Sequence, residues 1–130
     1  MLAKLAGEVT RYAGHGREFG YPTANIAAAT DLADGVYFGR ADLAGHKHHP
    51  AMIFIGTPTT VGDTERRVEA HLLDIPDHDY YGQRLIVEVL HFSRPNVTFG
   101  SVKELLVAMK DDEAAGRAWF AQHPLELPGN

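Results

Sequence analysis

Arg84-Leu85-Ile86-Val87-Glu88-Val89 and Ser101-Val102-Lys103-Glu104-Leu105-Leu106-Val107-Ala108-Met109, the two ends of one stretch, decide the fold class because the hydrophobic period changes between them. Leu85, Val87 and Val89 alternate with Arg84, Ile86 and Glu88, the pattern of a strand in a sheet. Val102, Leu105, Leu106 and Met109 fall at i, i+3, i+4 and i+7, one face of a helix. Ser101 followed three residues later by Glu104 makes a capping box, with Thr98 as a competing cap. A β region is therefore expected to end near Phe92 and a helical region to begin near Ser101.

Toward the N-terminus the strand period persists. Val68, Ala70 and Leu72 alternate with Arg67, Glu69 and His71, which sends Glu69 and His71 to one face and the apolar set to the other. Ala51-Met52-Ile53-Phe54-Ile55, entered through Pro50, is apolar on both faces and reads as a central strand. Gly35 to Leu43 carries Val36, Tyr37 and Phe38, and Leu5 to Tyr12 alternates weakly. Gly82 closes a turn after Tyr80-Tyr81, and a polar turn holds Gly45 and the histidines from His46 to His49. Toward the C-terminus, Asp111-Asp112 either breaks the helix or caps a second short one that carries Trp119 and Phe120 inward, and Pro124 to Asn130 reads as a frayed tail. Strands at short spacing followed by one or two C-terminal helices predict a mainly β domain, a small antiparallel barrel with a helix across it. Closure removes the exposed edges of such a sheet.

The chain has 130 residues, 45% hydrophobic and 22% charged, which suits one soluble domain over 1–130 with a core from about residue 5 to 122. At this length roughly two-thirds of the unfolded surface is buried on folding, enough for a core without staples. No cysteine is present, so disulfides, thiolate metal sites and thiol nucleophiles are excluded. With 12 basic against 17 acidic side chains and a net charge of −5, no basic stripe marks a nucleic-acid partner. No apolar run approaches the roughly 18 residues of a membrane span, so no membrane partner is expected and a cytoplasmic monomer is.

Several chemistries drop out on motif grounds. No Gly-Lys pair exists for a P-loop, neither Ser93 nor Ser101 lies in a G-x-S-x-G elbow, and H-E-x-x-H is absent. Asn96-Val97-Thr98 matches a glycosylation sequon but lacks secretory context. His46, His48 and His49 read as a solvated loop rather than a metal module, because adjacent histidines in a turn rarely converge on one ion. What stands out is Gly14-His15-Gly16-Arg17-Glu18-Phe19-Gly20-Tyr21-Pro22-Thr23-Ala24-Asn25-Ile26. Gly14, Gly16 and Gly20 let the backbone bring N–H groups close to an anion, and Arg17 offers a guanidinium fork for phosphate. Pro22 favours an extended approach, which would put Thr23 and Asn25 on one face as hard oxygen ligands for Mg²⁺. The alternative is an ordinary loop in which Thr23 and Asn25 bond their own backbone.

The run Gly16 to Ile26 resembles the G-R-x-L-G-[FY]-P-T-A-N signature of the riboflavin kinase (flavokinase) family. Five further segments match in order: Asp34-Gly35-Val36-Tyr37, Ile55-Gly56-Thr57 with Pro58-Thr59, Val68-Glu69-Ala70-His71-Leu72-Leu73-Asp74, Tyr81-Gly82-Gln83, and Arg94 to Phe99. The resemblance implies a six-stranded Greek-key antiparallel barrel with C-terminal helices packed against it. It also implies transfer of the ATP γ-phosphate to the ribityl 5′-hydroxyl of riboflavin, giving FMN and ADP. Residue by residue it implies Glu69 as catalytic base, Arg17 beside the transferring phosphoryl group, and Gly14, Gly16, Gly20 and Pro22 around the nucleotide. Thr23 and Asn25 take its Mg–nucleotide positions, and Arg94, Phe99 and Tyr81 its substrate contacts. Read from the residues alone, Glu69 is rather a solvated strand carboxylate paired with Arg67, and His71 is a packing residue rather than a participant. The Gly56 to Thr60 turn is one residue shorter than the family pattern, and Arg94 to Phe99 lacks its acidic and lysine residues. These departures leave open a non-catalytic flavin- or nucleotide-binding module on the same barrel. FAD synthesis is not expected, since no H-x-G-H adenylyltransferase motif is present.

Overall fold

The computed structural model describes residues 1–10, 23–27, 30–57, 66–76 and 80–124. Six strands, β1 (Ala3–Glu8), β2 (Ala24–Ala27), β3 (Gly35–Leu43), β4 (His46–Gly56), β5 (Arg67–Leu72) and β6 (Arg84–Pro95), form one sheet in the order β1-β6-β3-β4-β5-β2. Every pairing is antiparallel. β3, β4 and β5 form a meander and β6 returns beside β3, which is the Greek-key connection. The two edge strands meet. Thr10, just past β1, donates its N–H to the Asn25 carbonyl of β2 at 2.9 Å, and the sheet is thereby nearly closed into a barrel.

Alternation decides what fills the barrel. Val68, Ala70 and Leu72 of β5 meet Ile26, Ile53, Ile55, Leu85, Val87 and Val89 in the interior, as the period of two requires. β4 lies between β3 and β5, the central position its apolar sequence predicts. Gly39 of β3 marks a close approach, because a Cβ there would collide with the Glu88 carbonyl oxygen and lie 2.7 Å from Ile53 Cδ1. β6 runs on to Pro95, past the expected end near Phe92, with register irregularities against β3 that bend it.

Around Phe38 the outer face of β3 packs against a helix, α1 (Val102–Gln122). The Ser101 hydroxyl accepts the Glu104 N–H at 3.2 Å, while the Glu104 carboxylate accepts the Gly100 N–H at 2.9 Å, so Ser101 rather than Thr98 is the cap. The expectation of C-terminal helices, with a break or second cap at Asp111-Asp112, is corrected to one continuous helix. Asp112 points inward to Arg94 instead of capping, a tertiary contact that outweighs the weak helix preference of aspartate. Gly116 permits the docking, since a Cβ there would lie 3.2 Å from Phe38 Cε1. Trp119 and Phe120, on the last turns of the same helix, face Phe38 at ring-centroid distances of 6.1 and 6.0 Å.

The histidine cluster belongs to a strand, not to a loop. The turn is only Ala44-Gly45, with φ of 51° and 88°, the geometry of a two-residue hairpin, and β4 begins at His46. His46 packs against His49, the His49 ring bonds the Leu73 carbonyl, and His48 Nε2 lies 3.5 Å from Glu88 Oε1.

Candidate active site

Side chains that pair across antiparallel strands point to the same face. Asn25 pairs with Glu69, Glu69 with Phe54, Phe54 with Val36, and Val36 with Arg94. These five residues make one row across the outer face of β2, β5, β4, β3 and β6. At about 4.8 Å per strand, three steps separate Glu69 from Arg94 by roughly 14 Å. Two segments far apart in sequence, each singled out for chemistry, are thus joined by an apolar floor of Phe54 and Val36.

At one end of the row, Asn25 is buried, and its Oδ1 has no hydrogen-bond partner among the described residues. A buried amide oxygen without a partner carries a desolvation cost of about 1–3 kcal/mol. Its strand neighbours explain its place: Ala24 and Ile26 point into the barrel, so the residue between them must face outward. Thr23 is half-buried and immediately precedes β2, two positions from Asn25. Two neutral hard oxygens suit Mg²⁺, which keeps water and substrate phosphates in most of its coordination positions. The described residues hold no group of three or more His, Cys, Asp or Glu side chains placed for a metal ion.

Glu69 is half-buried on β5 and accepts the Arg67 Nε–H at 2.7 Å through Oε1. Arg67 itself is only 4% exposed. Both readings of Glu69 therefore meet in one place, a carboxylate facing Asn25 and an ion pair with Arg67. His71, two residues on, shares the face and is half-buried. Arg66 donates to Asp34 Oδ1 at 2.8 Å and to the carbonyls of Thr30 and Leu32, tying the Thr30 to Asp34 loop to the start of β5.

At the other end of the row, Arg94 donates from Nε and Nη2 to the two oxygens of Asp112 at 2.7 and 2.8 Å and lies 5.7 Å from the Phe99 ring centroid. The Asp112 hydrogen bond pushes the Arg94 guanidinium further up, so it stays charged beside the helix. Arg94 and Phe99 thus lie together. Tyr81 is not with them. It is exposed in the turn before β6, whose Gly82 N–H donates to the Val9 carbonyl, and the length of β6 lies between it and Arg94. Gly14, Gly16, Arg17, Gly20 and Pro22 lie outside the described residues, as do Pro58 to Thr60 of the shortened turn.

Sequence reasoning did not place Phe54 or Asp112 at the site. Phe54 reads as an ordinary member of a central strand, and only the register shows it beside Glu69. Asp112 has no local signal, because its partner is 18 residues away on a strand.

A family profile described as Flavokinase, riboflavin kinase, matches residues 2–120. The chain is 36% identical over 127 residues to the trifunctional protein RibF/MnmA of Mycoplasmoides gallisepticum, covering 95% of this chain and 19% of that protein. It is 29% identical over 126 residues to human riboflavin kinase, covering 90% of this chain and 81% of that protein. Among solved structures, a Streptococcus pneumoniae protein described as a macrolide-efflux protein superposes with a TM-score of 0.75 at 33% identity, over 89% of this chain and 38% of that one. Riboflavin kinase from Trypanosoma brucei superposes with a TM-score of 0.68 at 24% identity, over 93% of this chain and 78% of that one, and supports the fold.

Proposed function

The chain belongs to the riboflavin kinase family, and from that premise we propose that it transfers the γ-phosphate of ATP to the ribityl 5′-hydroxyl of riboflavin, giving FMN and ADP. The observation that carries this reading is the buried Asn25 Oδ1 without a partner among the described residues, on the residue paired in register with Glu69 across β2 and β5. A buried acceptor unsatisfied by its own strand calls for a ligand or an ion to complete it.

Each residue has a separate task. Thr23 and Asn25 would hold Mg²⁺ through their side-chain oxygens, and the ion would supply neutralisation of phosphate charge. Glu69 accepts the proton of the 5′-hydroxyl as that oxygen attacks phosphorus. Arg17, with Gly14, Gly16, Gly20 and Pro22, contacts the nucleotide phosphates. Phe54 and Val36 supply an apolar floor along which the flavin chain extends, and Arg94 with Phe99 forms its far wall. Tyr81, set apart from that wall, is a weaker substrate contact. We take the working form to be a cytoplasmic monomer with riboflavin, FMN, ATP and ADP as its partners and no nucleic-acid or membrane surface. The net charge of −5 supports the lack of a nucleic-acid surface.

The test is to incubate purified protein with riboflavin, ATP and Mg²⁺, with an EDTA control, and to separate the flavins by chromatography. FMN formed only with Mg²⁺ is the expected result. Riboflavin binding without any FMN would replace the kinase by a flavin-binding module.

A further inference from the structure

We propose that Arg67 is a positioning residue for Glu69: its buried guanidinium fork fixes the carboxylate in the row that faces Asn25. The inference rests on the reading of Glu69 as the proton acceptor.

A guanidinium that is 4% exposed has lost nearly all its water, and such a charge is retained only where a partner and further hydrogen bonds offset the loss. One partner here is local. Arg67 and Glu69 stand two residues apart on one strand and one face, with Nε donating to Oε1 at 2.7 Å. The other arginine–carboxylate pairs on the barrel connect separate elements: Arg40 of β3 to Glu88 of β6, Arg94 of β6 to Asp112 of α1, and Arg66 before β5 to Asp34 before β3. A contact within one strand adds nothing to the joining of strands, which the ladders to β2 and β4 already accomplish. What it does fix is the carboxylate. A glutamate has three side-chain torsions, the last of them broad, and the Arg67 Nε–H bond to Oε1 pins one carboxylate oxygen and narrows them. Arg67 is itself held between neighbours, paired in register with Ala27 on one side and Gly56 on the other.

A misdirected base costs turnover rather than substrate affinity, because its contact with the hydroxyl proton matters in the transition state. Arg67→Met is expected to lower kcat by about ten- to a hundredfold with the riboflavin KM within about twofold of wild type. Arg67→Lys keeps the cation but not the planar fork, so it is expected to restore kcat only in part. In a background of Glu69→Gln, Arg67→Met is expected to add almost nothing, since there is no base left to orient. The controls separate the two claims. If Glu69→Gln turns over like wild type, the assignment of the base is wrong whatever Arg67 does. If Glu69→Gln is inactive while Arg67→Met keeps wild-type kcat, or lowers it by the same factor with and without Glu69, the positioning role is overturned. Should Arg67→Met fail to fold, the lysine variant decides: a reduced kcat at unchanged KM upholds the inference, and full wild-type kcat overturns it.

Discussion

Arg94 and Asp112 lie 18 residues apart and join β6 to α1, whereas Arg67 and Glu69 lie two residues apart on β5. In the first pair both carboxylate oxygens are taken up by the same guanidinium, at 2.7 and 2.8 Å, and the arginine is the more exposed partner. In the second the arginine is the buried partner and the carboxylate is the more exposed one, at 4% and 19%. The first arrangement uses an arginine to anchor an aspartate under a helix. The second uses a buried arginine to present a glutamate to the outer face. Similar chemistry thus serves docking at one end of the row and presentation at the other. What separates the roles is which partner is buried and whether the contact spans two elements.

That contrast can be broken by mutation. The largest effect is expected for Glu69→Gln: kcat for FMN formation should fall by about 10²–10⁴, the usual worth of a positioned base, while riboflavin binding followed by flavin fluorescence changes little. Next comes Asn25→Ala, which removes the oxygen that has no partner among the described residues; the Mg²⁺ concentration for half-maximal rate should rise about tenfold, the equivalent of ~1.4 kcal/mol. An unchanged Mg²⁺ requirement would move the ion elsewhere. Asp112→Asn should act on stability instead. It leaves a partly buried guanidinium short of a charge partner, so thermal unfolding should come several degrees lower, for a loss of about 1–2 kcal/mol, with kcat at saturating substrate within about twofold. A large loss of kcat in that variant would erase the distinction between the two pairs.

The smallest effect is expected at Arg117→Ala. Arg117 holds Asp74 with two hydrogen bonds at 3.0 and 2.9 Å, and those bonds draw the Asp74 carboxyl below its usual range. A carboxyl lowered in the folded state contributes stability above its ordinary range and loses it as pH falls through the folded value. Asp74 is 72% exposed, so solvent screens the pair. The Tm of Arg117→Ala should stay within about 2 °C of wild type at neutral pH, and its remaining deficit should vanish in acid.

The strands and the helix start were legible because period and capping are local. The alternation of Val68, Ala70 and Leu72 specified which face Glu69 takes, and Ser101 with Glu104 specified where the helix begins. The continuity of α1 through Asp111-Asp112 was not legible, since what keeps Asp112 helical is Arg94 on a distant strand. The histidines at the start of β4 read as a loop because polar residues near Gly45 look like a turn, and only pairing with β3 and contacts with Leu73 and Glu88 make them a strand. For the candidate site, residue types were readable and their alignment was not. That Asn25, Glu69 and Arg94 occupy one row depends on three register choices that no single segment encodes.

The row is the central claim, and amide chemical-shift mapping of ¹⁵N-labelled protein tests it most directly. Addition of riboflavin with Mg²⁺ and ADP should move the amides of Asn25, Glu69, Phe54, Val36 and Arg94 together. It should leave unmoved a second line of residues paired across the outer face, Lys4, Glu88 and Arg40. Shifts concentrated on Lys4, Glu88 and Arg40, with Asn25 and Glu69 unchanged, would contradict the account.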